Sequence, residues 1–185
     1  MANILVISAH QNLNHSTSNR LILDELEQGL GSQVSIRRLS ELYPDFNIDV
    51  SAEQQALLEA DVVVLQYPIF WYNTPAILKK WLDDVWTYGF AYGEGGDKLK
   101  GKKLLVSTTT GGVKEVYTDE VMGKIDDLLK PMKSSAIYAS FEWLEPEVSY
   151  AQLYIPNVHT EADLANVQAK AKAHAARVIA KLANL

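Results

Sequence analysis

Short runs rich in β-branched residues alternate along this chain with longer segments of helical periodicity. The runs 4–7, 34–39, 61–66 and 103–109 predict strands, because Val, Ile and Thr favour the packed surface of a sheet. In segments such as 17–30, apolar residues recur every three or four positions, which predicts amphipathic helices. Strands that alternate with helices form a parallel sheet covered by helices on both faces.

Local residues predict where the other elements begin and end. Ser51 and Thr74 are predicted helix N-caps, and Pro75 a first helical residue. The elements that remain are helices over 51–60, 75–86, 119–129 and 161–185 and a fifth strand over 134–141. Five strands in one chain of this length match the flavodoxin-like, doubly wound order 2-1-3-4-5 better than a barrel. We therefore predict an α/β fold with a single domain over residues 1–185.

Charge and cysteine content exclude several classes of function. A net charge of -6 argues against a nucleic-acid surface, which needs a basic footprint. The absence of cysteine excludes disulfides and thiolate chemistry. The four histidines show no metal-ligand spacing, and we expect most of them, like most acidic residues, at the surface. The strand at 4–7 begins without a basic leader, so we expect a cytoplasmic protein.

Unusual segments follow the first, third and fourth strands, at residues 9–19, 68–73 and 108–112. In an open parallel sheet, ligands bind outside the carboxyl ends of the strands, where the strand order reverses. These three segments are expected to meet at that point. Their convergence therefore predicts a ligand site more strongly than any one segment does.

The first segment has polar residues where the first helix begins. The N–H groups near Ser16, Thr17, Ser18 and Asn19 have no partners within the helix, and the helix dipole favours an anion. Hydroxyl and amide groups add donors for a phosphate without adding charge, and His10 is a further candidate donor. Helix capping alone is an alternative explanation of the same residues.

The second segment is aromatic. Phe70, Trp71 and Tyr72 follow Pro68 and Ile69 in a loop before a helix, and a planar heterocycle needs an apolar wall with donors along its polar edge. Burial in the core is the alternative, but three consecutive aromatic residues cannot all face one core from one loop.

The third segment is Thr109, Thr110, Gly111 and Gly112. Glycine lets a ligand approach the backbone closely and leaves the N–H groups accessible, although paired glycines are also common in simple turns. Tyr117 lies shortly after this segment. Its ring is expected either to close over a ligand or to pack against the protein.

As a set, these residues resemble the flavodoxin-like NAD(P)H:quinone oxidoreductases, and most closely the ancillary oxidoreductases of bacterial glutathione-regulated potassium-efflux systems. The matching features keep their order and spacing over roughly residues 4–145, and they are Ala9-His10, Ser16 to Asn19, Leu42 to Asp49, Pro68 with Trp71-Tyr72, Trp81 to Asp83, Gly89 to Gly93 and Thr109 to Gly112.

The resemblance implies a role for each segment. His10, Ser16, Ser18 and Asn19 would hold the phosphate and ribityl end of a flavin. Residues 69–72 would run along the isoalloxazine, with 109–112 at its other edge. The cofactor implied is FMN, with FAD still possible, and the protein would form a homodimer.

This chain departs from the family at two positions. Phe70 stands where the family often has Gln, and residues 118–123 contain no His, although relatives have one a few residues after their counterpart of Tyr117. The resemblance therefore does not predict a His-assisted proton relay.

The reaction implied is hydride transfer from NADH or NADPH, through the flavin, to a quinone or a similar acceptor. Sharing of one site by the two substrates would give ping-pong kinetics, and Tyr72 and Tyr117 are the candidate catalytic residues. Two alternatives stay open. One is a regulatory subunit of a membrane potassium-efflux transporter, peripheral at the inner membrane. The other is a one-electron carrier like flavodoxin.

Overall fold

The computed structural model describes residues 2–185 and contains one parallel sheet. Its strands are β1 (Ile4–Ser8), β2 (Val34–Arg38), β3 (Val62–Pro68), β4 (Lys103–Thr109), β5 (Glu142–Trp143) and β6 (Glu147–Ser149). The order is β2-β1-β3-β4-β5, and β6 pairs with β4 beyond β5. The order predicted from the sequence is thus confirmed, with two short strands sharing the fifth position.

Helices cover both faces of this sheet. They are α1 (Thr17–Leu30), α2 (Leu39–Leu42), α3 (Val50–Glu59), α4 (Ala76–Val85), α5 (Ile125–Tyr138) and α6 (Glu161–Ala183). Because side chains alternate along a strand, Val6 and Val64 pack with α1 and α6, whereas Ile7 and Leu65 pack with α3, α4 and α5. Two apolar cores therefore lie on opposite faces of the sheet.

The predicted strand over 134–141 is wrong, and the helix predicted over 119–129 is correct only from residue 125 onward. Residues 125–138 form α5, which buries Leu129, Met132 and Ala136 at helical spacing. Pro131 lies inside this helix, although proline usually ends or kinks a helix. Residues 118–123 form turns instead.

Three predicted helix starts and strand ends also differ. Asp49 caps α3 by accepting from the Ala52 N–H at 3.0 Å, so Ser51 lies inside the helix. Pro75 occupies the N-cap position of α4, and Thr74 makes no cap. Residue 39 begins α2 instead of ending β2. Within residues 2–185, no helix combines the length and apolar character needed to cross a membrane.

Candidate functional site

A cleft of about 280 Å³ lies at the carboxyl ends of β1, β3 and β4, beside the start of α1. It contains eleven of the residues predicted from the sequence, namely His10, Ser16, Thr17, Ser18, Asn19, Pro68, Ile69, Phe70, Thr109, Thr110 and Gly111. The three segments therefore meet in one place, as the parallel sheet requires.

The start of α1 supplies free donors to this cleft. Ser16 Oγ accepts from the Asn19 N–H at 3.1 Å, so this hydroxyl caps the helix. The N–H groups of Thr17 and Ser18 donate to no acceptor in residues 2–185. Together with the helix dipole, these free N–H groups favour an anion at this position.

His10 adds an uncharged donor. Its Nδ1 accepts from the Asn12 N–H at 3.0 Å, and burial lowers the pKa of the imidazole below its usual value of 6.5. The ring is therefore neutral at pH 7, with its proton on Nε2. It stands edge-on to the Phe70 ring, 5.5 Å between centroids.

The aromatic segment forms a tight turn. Phe70 and Asn73 exchange two backbone hydrogen bonds of 2.9 and 3.0 Å. Trp71 (φ 47°) and Tyr72 (φ 64°) occupy the central positions, a left-handed conformation that bulky residues adopt only under strain. Trp71 is 94% exposed. The Phe70 N–H donates to the Asn73 carbonyl, so of the three backbone N–H groups in residues 70–72 only those of Trp71 and Tyr72 lack an acceptor within residues 2–185.

The two glycines after β4 have different surroundings. Neither has a positive φ. A Cβ on Gly111 would meet nothing closer than Leu153 Cβ at 3.8 Å, so the fold does not require glycine there, and its absent side chain leaves room in the cleft. A Cβ on Gly112 would lie 3.2 Å from the Tyr117 hydroxyl.

Four predicted residues lie outside the cleft lining, namely Trp71, Tyr72, Gly112 and Tyr117. Gly112 packs against Tyr117, whose ring is tilted by 55° to that of Tyr150 with 5.6 Å between the centroids. Tyr72 lines a larger cavity of about 600 Å³ between α4 and α5, and Ile69 lines both spaces. This second cavity is lined by polar residues such as Lys79 and Asp83 and by apolar and aromatic residues that include Trp86, Tyr92, Leu128, Met132 and Tyr138.

The segment that closes one side of the cleft is not among the residues predicted from the sequence. Gln152, Leu153 and Tyr154 line it, and Ser18 Oγ donates to the Gln152 carbonyl at 3.4 Å. Thr110 holds this segment by accepting from the Gln152 N–H at 2.8 Å. With the fifth strand placed too early, no pattern in the sequence indicated a loop at this edge.

The cleft fits a planar, phosphorylated group. Hydroxyl, imidazole and free N–H donors lie at the α1 end, the Phe70 turn forms an apolar wall, and the Gly111 position leaves space at the opposite edge. In residues 2–185, no cluster of His, Asp and Glu is arranged to hold a metal ion.

Comparison with known proteins gives a consistent result. The sequence model described as "Flavodoxin-like fold" matches residues 2–176. The chain is 45% identical over 143 residues to the glutathione-regulated potassium-efflux system ancillary protein KefF of Enterobacter sp. (strain 638), which covers 77% of this chain and 80% of that protein.

Two solved structures resemble the whole chain. General stress protein 14 of Treponema denticola, in complex with FMN, has a TM-score of 0.85 and 31% identity, covering 96% of this chain and 98% of that one. An NADPH-quinone reductase from P. pentosaceus has a TM-score of 0.74 and 27% identity, covering 91% and 97%.

Proposed function

This chain belongs to the flavodoxin-like fold family, and from that membership we propose that it is an FMN-dependent NAD(P)H:quinone oxidoreductase. The observation that carries the proposal is the convergence of the α1 start, the 68–73 turn and residues 109–111 in one cleft. The FMN complex and the quinone reductase among its structural relatives support it.

In this proposal the α1 end of the cleft holds the FMN phosphate. The N–H groups of Thr17 and Ser18, which lack acceptors in residues 2–185, would bind it, with the Ser18 hydroxyl and His10 Nε2–H nearby. Phe70 and Ile69 would border the ring, and the N–H groups of Trp71 and Tyr72 would face its polar edge. Bound FMN would supply two-electron hydride chemistry.

The net reaction is NAD(P)H plus a proton plus a quinone, giving NAD(P)⁺ and a hydroquinone. The two substrates would occupy the same position in turn, which predicts ping-pong kinetics. Tyr72, half exposed at the tip of its turn, would border that position, and Tyr117 would steady the acceptor oxygen. The protein would act in the cytoplasm as a homodimer, with FAD as the alternative cofactor.

The test begins with the purified protein. We expect a yellow solution whose released chromophore runs with FMN in chromatography. NADH and NADPH oxidation are then measured with benzoquinone as the acceptor, and parallel double-reciprocal lines are expected. A protein that takes up no added flavin would refute the proposal, and one that binds FMN without reducing benzoquinone would be an electron carrier.

A second candidate function is that of an ancillary subunit of a potassium-efflux transporter. It is favoured by the 45% identity to KefF and by the exposed Phe46 in the 42–49 segment. Phe46 has a φ of 63°, which asparagine tolerates. Phe46→Asn should therefore keep quinone reduction while it lowers co-purification with the transporter. If co-purification is unchanged, this segment is not the contact.

A further inference from the structure

Five buried polar side chains are linked by a continuous chain of hydrogen bonds along the α1 and α6 face of the sheet. It runs from His174 in α6 through Ser107 in β4, Gln66 in β3 and Asn19 in α1 to Thr109 at the end of β4. All five residues are at most 4% exposed. Thr109 and Asn19 also line the cleft, so the chain connects the far helix to the site.

The links between these side chains are short. His174 Nε2 lies 2.7 Å from Ser107 Oγ, which donates to Gln66 Oε1 at 2.5 Å. Gln66 Nε2 donates to Asn19 Oδ1 at 2.9 Å, and Asn19 Nδ2 donates to Thr109 Oγ1 at 3.1 Å. Hydrogen bonds in such a chain polarise one another.

The direction of the chain follows from the orientation of the Gln66 amide, whose Oε1 faces Ser107 and whose Nε2 faces Asn19. Ser107 has one hydroxyl hydrogen, and it goes to Gln66 Oε1, which can only accept. His174 Nε2 must therefore be the donor to Ser107. A neutral imidazole has a single N–H, so Nδ1 carries none, and it has no hydrogen-bond partner within residues 2–185.

The same direction continues to the cleft. The Thr109 oxygen accepts from Asn19, while its own hydrogen donates to no acceptor in residues 2–185. Thr109 lines the cleft, so its hydrogen is left for a ligand. The chain thus begins at a donor in α6 and ends at a donor in the site.

Packing alone does not explain a histidine at position 174. The neighbouring buried positions of α6 are apolar, with Ala171, Ala175 and Val178 all 0% exposed. A buried polar atom without a partner, such as Nδ1, destabilises the folded protein. Burial also lowers the pKa of His174 to about 4, so the ring is neutral at pH 7.

We propose that His174 is a positioning residue that fixes the direction of this chain and thereby holds the Thr109 hydroxyl and the Asn19 amide as hydrogen-bond donors toward an acceptor atom of the bound flavin. The inference rests on the proposed FMN function. The orientation of the chain itself is independent of any ligand.

The first test needs no flavin. In ¹⁵N NMR of the protein without flavin, His174 should show the Nε2–H tautomer at pH 7. His174→Met removes the donor at similar volume and should shift the side-chain amide resonances of Gln66 and Asn19. An Nδ1–H tautomer, or unchanged amide resonances, overturns the proposal whether or not FMN binds.

The second test measures the dissociation constant of FMN by quenching of its fluorescence. His174→Met should weaken binding about tenfold, the equivalent of one hydrogen bond. His174→Gln places an amide donor near the Nε2 position and should restore binding to within about threefold. Val178→Ala is the control, because it leaves a cavity at a buried position of the same helix. It should lower thermal stability without changing FMN affinity.

Wild-type FMN affinity in a folded His174→Met protein overturns the inference while leaving the proposed function intact. If wild-type protein itself fails to bind FMN, the proposed function fails. The NMR test still decides the direction of the hydrogen bonds between His174 and Thr109. Should His174→Met not fold, Ser107→Ala breaks the chain one link later. It should cause the same loss of affinity, and an unchanged dissociation constant overturns the proposal.

Discussion

Two buried polar clusters lie on opposite faces of the sheet, and they differ in charge. On the α3 and α4 face, the Glu53 carboxylate is 0% exposed and is paired with Arg37. On the α1 and α6 face, the hydrogen-bond chain that starts at His174 contains only uncharged side chains. The first cluster joins parts of the scaffold, and the second ends in the cleft.

In the charged cluster, the other members donate hydrogen bonds to the Glu53 carboxylate. Glu53 Oε1 accepts from Arg37 Nε at 2.8 Å and from the Tyr43 hydroxyl at 2.6 Å, and Oε2 accepts from Trp81 Nε1 at 2.8 Å. These bonds tie β2, the 42–49 segment and α4 to α3. The neutral chain instead keeps one unused hydrogen at Thr109. The difference suggests that one cluster stabilises the fold and the other prepares the site.

The strongest test of this contrast is Glu53→Ala. Removing the buried carboxylate leaves the Trp81 N–H and the Tyr43 hydroxyl without their acceptor, and Arg37, which is 24% exposed, without its partner. Unfolding free energy should therefore fall by about 3–5 kcal/mol with FMN affinity unchanged. Urea denaturation measures the first quantity and fluorescence titration the second. Glu59→Ala, in the exposed last turn of α3, is the control and should change stability by under about 0.5 kcal/mol. A loss below about 1 kcal/mol for Glu53→Ala would break the contrast.

His174, at the start of the hydrogen-bond chain, should make the stability of the protein depend on pH. Burial, and then the positive Arg177, lower the pKa of His174 from 6.5 to about 4, against a smaller opposite effect of Glu147. The unfolded state therefore binds more protons between these values, so stability is complete above pH 6.5 and falls as the pH drops to 4. The expected loss is about 3 kcal/mol.

The measurement is the unfolding free energy of wild type against pH, with His174→Gln as the reference. Carboxylates titrate in both proteins, so their contribution cancels in the difference between the two curves. A difference that does not change between pH 6.5 and 4 would show that His174 is not buried as a neutral base.

These two clusters also show what the sequence could predict. The bounds of α1 and β4 follow from local periodicity, and the convergence of three loops follows from the rules of parallel sheets. Burial of Glu53 and His174 depends on which helix packs on which strand, so both looked like surface residues. The fifth strand was missed because β5 has only two residues, too few for any alternation pattern.

Tyr43→Phe is a milder test of the charged cluster. Burial, and then the hydrogen bond to Glu53, raise the pKa of the Tyr43 hydroxyl, which keeps it a neutral donor. Losing a hydrogen bond to a charged acceptor should lower unfolding free energy by about 2 kcal/mol. Urea denaturation checks this value. FMN affinity should be unchanged, and a weaker affinity would mean that the charged cluster also reaches the site.

Thr109→Val should have the smallest effect on folding, of about 1 kcal/mol, and should also weaken binding. Valine keeps the shape of the side chain but removes the hydroxyl, and with it both the oxygen that accepts from Asn19 and the hydrogen that is free for a ligand. FMN should bind about tenfold more weakly, while unfolding free energy should fall by about 1 kcal/mol.

The neighbouring Thr108→Val is the matched control for that variant. Its hydroxyl is also buried but donates to the Tyr67 carbonyl at 2.7 Å, on the opposite face of the sheet. It should lower stability by about 1 kcal/mol and leave FMN affinity unchanged. Equal FMN affinities in the two variants would mean that the Thr109 hydrogen does not reach the ligand, and the neutral cluster would then be structural like the charged one.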